Sequence, residues 1–202
     1  MPAYASPMSL HAGDALLIVD LQSDFLPGGS LAVPQGDQVI PVLNGYLAAF
    51  QQAGLPVLAT RDWHPSDHCS FRPQGGPWPP HCVAGSAGAH FASGLKLPVD
   101  VHVISKATDR QRDAYSGFEG TELDHLLRET GVERLFIGGL ATDYCVLHTV
   151  RDALKLGYQT LLLQDAVRAV DVQPGDGERA VADMVKQGAR GVTLNQIRAA
   201  SP

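Results

Sequence analysis

Cys145 is the strongest candidate nucleophile in this chain. The string GGLATDYCV (138–146) leads from an apolar segment through a tight turn into a helical stretch, and Cys145 falls in the first turn of that helix. Helix N-termini favour anions, so a thiolate there is expected to be stabilised and reactive. A thiol also needs a base, and the base needs a counter-charge. Asp20, directly after the apolar run ALLIV (15–19), and Lys106, directly after VHVIS (101–105), are the candidates. The carboxylate can take the thiol proton, and the cation beside it keeps the carboxylate ionised until then. Cys69 and Cys82 lack a helix start and read as structural. His148, three residues past Cys145, shares its helix face and is an alternative partner for the thiol, although such a histidine more often packs or faces solvent.

A second cluster has the composition of a metal site. Asp62-x-His64-x-x-x-His68 is followed by His81 within one loop. One carboxylate with three imidazoles suits a divalent transition ion such as zinc, iron or manganese, with water in the open positions. The competing reading is a set of solvent-exposed loop histidines. His11, His90, His102 and His125 read as ordinary surface residues.

These groups gain meaning from the elements that carry them. Short apolar segments at 15–19, 56–60, 101–105, 135–140 and 160–163, with a weak sixth at 192–194, read as strands. Between them lie helical patterns. The first starts near Asp37, with an apolar stripe through Val39, Val42, Leu43, Tyr46, Leu47 and Phe50, and closes at Gly54; others fall near 121–130, 142–156 and 177–187. Thr121 and Asp124 resemble a capping box. Such alternation implies an α/β fold: one Rossmann-like domain spanning 1–202, with a mostly parallel six-stranded sheet as the middle of three layers. Ligands of such sheets bind beyond the carboxyl ends of the strands. Asp20, Asp62, His64, Lys106 and Cys145 all follow strands and are therefore expected on one edge. Residues 62–99, rich in Pro, Gly and His and without periodicity, read as a functional, metal-binding loop region. Residues 1–12 read as an N-terminal extension.

Bulk properties narrow the partners. Acidic residues outnumber basic ones 21 to 15, for a net charge of −6, which disfavours nucleic acid. Three cysteines without regular spacing argue against a disulfide framework and for a reducing compartment. The first dozen residues lack a signal-peptide pattern, and no apolar run approaches membrane-spanning length. A cytoplasmic protein, monomeric or homo-oligomeric and without a membrane partner, is the expectation.

Five strings carry a family resemblance: VDLQSDFLPGGSLAV (19–33), RDWHPSDHCSF (61–71), WPPHCVAGSAGA (78–89), AYSGFEGTEL (114–123) and GGLATDYCV (138–146). In order and over most of the chain they resemble nicotinamidases, which belong to the isochorismatase-like cysteine hydrolases. The WPPHC and DFxxGG-type strings are fairly specific to nicotinamidases within that superfamily; the Asp, Lys and Cys set alone marks only the superfamily. The resemblance implies a triad of Asp20, Lys106 and Cys145 and a metal set of Asp62, His64, His68 and His81. It also implies a ring pocket of Phe25, Trp78 and Tyr115 and an oxyanion hole at the amides of Ala141 and Cys145, with a cis peptide joining Leu140 to Ala141. The implied substrate is nicotinamide. Two rivals remain: another amidohydrolase of the superfamily, expected to lack the histidine loop, and a non-catalytic binding protein, expected to lack one of the triad residues.

Overall fold

In a computed structural model of the chain, residues 8–198 are described. The elements run β1 (Met8–Ser9), β2 (Asp14–Val19), α1 (Val39–Gln52), β3 (Val57–Asp62), β4 (His102–Lys106), α2 (Leu123–Glu129), β5 (Arg134–Leu140), α3 (Leu147–Lys155), β6 (Gln159–Arg168), α4 (Asp176–Lys186), β7 (Arg190–Val192) and β8 (Ile197–Arg198). β2 to β7 form one sheet of six strands in the order β4-β3-β2-β5-β6-β7, and every pairing in it is parallel. The sheet is thus wholly, not mostly, parallel. Of the N-terminal extension, residues 1–7 lie outside the described residues. Met8 and Ser9 pair in parallel with Ile197 and Arg198 as a separate two-stranded sheet.

β2 shows why the sheet is sandwiched. All six of its residues are buried. Leu16 and Ile18 face one layer, with Leu43, Leu47 and Phe50 of α1. Leu17 and Val19 face the other, with Leu127 of α2, Val150 of α3 and Met184 of α4. Apolar side chains on both faces of a strand need cover on both sides, and at about 1.5–3 kcal/mol for each buried Leu, Ile or Val this packing is the main cohesive term. α1 is the only α-helix on its face among the described residues. The missing cover comes from the long segment between β3 and β4: Cys82, Ala89 and Ala92 are buried there, and Phe91, Leu95 and Leu97 pack against the same core. That segment holds only short 3-10 turns, at Arg72–Gln74 and Ala87–Ala89, and does a crossover helix's work without being one.

Three local expectations are corrected. The Thr121–Asp124 capping box does not form: the cap position of α2 is Glu122, without a side-chain bond, and Thr121 stands one residue earlier, its Oγ1 donating to the Gly117 carbonyl at 2.6 Å and accepting from the Leu123 amide at 3.3 Å. The helix expected at 142–156 is split into a five-residue π turn, Thr142–Val146, and α3. β6 continues well past Leu163, because a register shift against β5 between Ile137 and Gly139 re-pairs the strand beyond the polar Gln164 and Asp165.

Candidate active site

Four adjacent strand ends build the site. Chain order reverses at β2, with β3 and β4 on one side and β5, β6 and β7 on the other. Open parallel sheets leave a crevice at such a switch point. Asp20 follows β2 directly, in a left-handed conformation (φ 46°) that Asp adopts more readily than most side chains. Asp62 and Lys106 are the last residues of β3 and β4 and are register partners. β5 reaches the switch point at Gly139 (φ 124°), where any Cβ would run into the backbone of Val19. A cis peptide joins Leu140 to Ala141, and the π turn carrying Cys145 follows.

The buried ammonium of Lys106 ties these ends together. Its Nζ lies 2.9 Å from Asp20 Oδ2 and 2.5 Å from Asp62 Oδ1, and it donates to the Ala114 carbonyl at 3.1 Å and to Cys145 Sγ at 3.4 Å. Asp20 Oδ1 accepts a bond from Thr60 Oγ1 at 2.6 Å. Asp20 Oδ2 accepts no well-directed hydrogen bond although Lys106 is its ion-pair partner, which leaves it a buried acceptor.

The charge states follow from burial and neighbours. Burial pushes the Cys145 thiol well up; Lys106 opposes this, and Asp20 and Asp62 add to it. The resting group is therefore a neutral thiol, which corrects the expectation of a helix-stabilised thiolate: desolvation beside two carboxylates outweighs the turn's dipole. Burial also raises Asp20, against the pull of Lys106, and so makes it a better proton acceptor than an ordinary carboxylate. For Lys106 burial alone would favour the neutral amine, but Asp20 and Asp62 win and hold it as the ammonium.

Asp62, His64 and His81 bring one ligand atom each within 4.8 Å of one another. The imidazoles are oriented for ligation. His64 Nδ1 contacts the His81 carbonyl at 3.1 Å and His81 Nδ1 the Pro79 carbonyl at 2.8 Å, so both Nε2 atoms are left for an ion. Burial, with His81 and His68 adding to it, lowers His64 to about 3, the neutral form a metal requires. Gln22 fixes Asp62 from behind: its Oε1 accepts from the Asp62 amide and its Nε2 donates to the Asp62 carbonyl, both at 2.8 Å. The structure does not bring His68 into this group. Its ring lies 4.5 Å from that of His64, but its Nδ1 bonds Ser70 Oγ at 2.8 Å and its Nε2 the Arg112 carbonyl at 3.1 Å. With His64, it groups instead with Asp113.

A small cavity opens over Cys145, walled by Phe25, Trp78, Tyr115 and Ala141 among the expected residues. Trp78 Nε1 donates to Tyr115 Oη at 3.0 Å, which locks two of the aromatic walls. His148 does not partner the thiol; it stacks on Tyr115 with ring centroids 5.3 Å apart. Sequence reasoning missed Thr60, Gln22 and Tyr144. Tyr144 lines the cavity and meets Trp78 edge-on at 5.2 Å. A signal existed for Thr60: it stands two residues before Asp62 in a strand, hence on the same face.

A parallel α/β sheet with a Cys, Asp and Lys constellation at its switch point defines a hydrolase-type architecture with a thiol at its centre. The chain belongs to the isochorismatase domain family, which matches residues 14–196. It is 40% identical to the nicotinamidase of Escherichia coli, over 89% of this chain and 94% of that one. Among solved structures it is similar to the pyrazinamidase of Pyrococcus horikoshii in complex with zinc, at 50% identity, TM-score 0.86, 90% of this chain and 99% of that one. PnC1 of L. infantum in complex with nicotinate is 38% identical with a TM-score of 0.88, over 96% and 100%.

Proposed function

We propose that this protein is a cytoplasmic, metal-dependent amidohydrolase that converts nicotinamide to nicotinate and ammonia through a thioester on Cys145, a step of NAD salvage. The observation that carries the reading is Lys106 Nζ standing within 3.4 Å of Cys145 Sγ while it also pairs with Asp20 and Asp62. The likeness to nicotinamidases supplies the substrate.

The pyridine ring lies among Phe25, Trp78 and Tyr115, with the carboxamide over Cys145. Asp20 Oδ2 takes the thiol proton, and Lys106 steadies the sulfur as it becomes anionic. Sulfur attacks the carboxamide carbon, and the amides of Ala141 and Cys145 hold the oxyanion, each such donor contributing about 2.7–4 kcal/mol. Asp20 then gives its proton to the amide nitrogen as the C–N bond breaks and ammonia leaves. Water adds to the thioester, its proton passes to Asp20, and the C–S bond breaks to release nicotinate and restore the thiol. Asp62, His64 and His81 would hold one divalent transition ion, with His68 bracing His64. When bound, that ion supplies a Lewis-acidic position able to receive a ring nitrogen or polarise a water.

Ammonia release from nicotinamide and from benzamide tests the reading. Benzamide keeps the carboxamide and the ring shape but lacks the nitrogen. We expect nicotinamide to win by at least roughly a hundredfold in kcat/KM, since sites built around a polar contact reject analogues lacking it by up to about 10⁴. Equal values would point to a general amidohydrolase.

A further inference from the structure

One wall of the cavity is held by a device that the triad and the ligand cluster do not use. Past the end of β6 at Arg168 the chain turns across the cavity, and Val170 lines it. Asp143, two residues before Cys145 in the same π turn, grips this segment with both carboxylate oxygens. Oδ1 accepts from the Val170 amide and Oδ2 from the Asp171 amide, each at 2.9 Å. The grip is braced from the far side. Asp171, left-handed at φ 53°, accepts the Gly177 amide at 2.8 Å through its Oδ1. Gly177 packs so closely that a Cβ there would collide with the Ala169 side chain. The segment 169–171 is thus fixed between the nucleophile's own turn and the start of α4. Two bonds from one carboxylate to consecutive amides leave Val170 little freedom to retreat.

We propose that Val170 decides which ring substituents the cavity admits, and that Asp143 is the positioning residue that holds it there. This rests on the aromatic carboxamide reading above. A branched apolar side chain fixed in a small cavity excludes an added methyl by shape, a contact worth about 10- to 200-fold in selectivity. The positioning comes from Asp143, because loss of its carboxylate frees both amides at once.

The test compares kcat/KM for nicotinamide with kcat/KM for the isomers carrying one extra ring methyl. Val170→Ala should raise the methylated-to-parent ratio at least about tenfold for one isomer or more. Asp143→Ala should shift the ratio the same way, mainly through KM. Asp143→Asn, which keeps one acceptor oxygen, should fall between it and the wild type. A purely structural role for Asp143 would lower the melting temperature and leave the ratio alone. Ratios in Val170→Ala and Asp143→Ala within twofold of wild type for every isomer would overturn the inference. Calorimetric affinities for nicotinate and its methylated analogues read the same selectivity without turnover. An inactive wild type whose variants still gain the methylated nicotinates would count against the carboxamide reading alone.

Discussion

Lys106 and Asp62 close the last paired position of β4 and β3, and the ammonium of one stands 2.5 Å from a carboxylate oxygen of the other. Strand register therefore couples the nucleophile's cation to the first residue of the ligand cluster. Lys106 is also the sole cation, among the described residues, paired with either Asp20 or Asp62.

Lys106→Ala should accordingly cost both stability and activity. Removing one partner of a buried ion pair leaves an uncompensated charge, at about 3–5 kcal/mol. Denaturant unfolding of metal-free protein should show a loss of that size, and ammonia release should fall to background. A stable, active Lys106→Ala protein would contradict the network described above.

Thiol reactivity has a defined sign. Burial holds the Cys145 thiol above its ordinary range, so its alkylation rate should keep climbing with pH beyond the point where a free cysteine levels off. Asp20 is one of the carboxylates that raise this thiol, so Asp20→Asn should move the climb to lower pH and speed alkylation of Cys145 at neutral pH, while ammonia release, which needs the proton acceptor, should fall by about a hundredfold or more. Burial, with Asp62, Asp20 and Asp24 adding to it, pushes the Cys82 thiol up as well, and this fully buried group should stay unlabelled until the protein unfolds. Peptide mass spectrometry over a time course gives all the rates. Ammonia release by Asp20→Asn at the wild-type rate would remove the base from its assigned role.

The ligand geometry separates the histidines. His64→Ala or His81→Ala should abolish stoichiometric binding of a divalent ion, because in the proposed site each would supply an Nε2 to a set completed by Asp62. His68→Ala should retain one ion per chain with weakened affinity, since both of its nitrogens are already bonded to Ser70 and Arg112. Elemental analysis after dialysis decides. Loss of the ion in His68→Ala equal to that in His64→Ala would restore the four-ligand set expected from the resemblance.

At the opposite end of the sheet a buried carboxylate is paired to serve the fold. Asp14 is fully buried and takes a two-pronged bond from Arg134, at 2.6 and 2.7 Å. Asp14→Ala should destabilise by about 3–5 kcal/mol through the orphaned guanidinium while kcat of the folded fraction stays unchanged. Thermal melts and active-site-titrated kinetics check the two halves. An altered kcat would mean that the two ends of the sheet are coupled.

The sheet and the strand-end residues were legible because a parallel strand announces itself. ALLIV and LFIGGL are apolar without alternation, VHVIS is a weaker signal from an edge strand with His102 and Val103 exposed, and the polar residue that follows each strand sits at the crevice. That rule found Asp20, Asp62, Lys106 and Cys145. It filed Asp62 and Lys106 under different sites, since register between β3 and β4 is set by a segment with no periodicity. It also misjudged the charge on Cys145, because desolvation by residues distant in sequence leaves no local trace. Tyr144 escaped for another reason: a π turn changes the angle between successive side chains, and the helical wheel no longer says which residues face the cavity.

The central claim is a covalent bond between Cys145 and the substrate's acyl group. Rapid acid quench of the enzyme with excess nicotinamide, followed by intact-mass and peptide analysis, tests it most directly. The expected result is one nicotinoyl group on the Cys145 peptide, present during turnover, absent in Cys145→Ala and lost once substrate is consumed. Steady ammonia release from Cys145→Ala, or turnover by wild type with the acyl group on no cysteine or on another one, would contradict it.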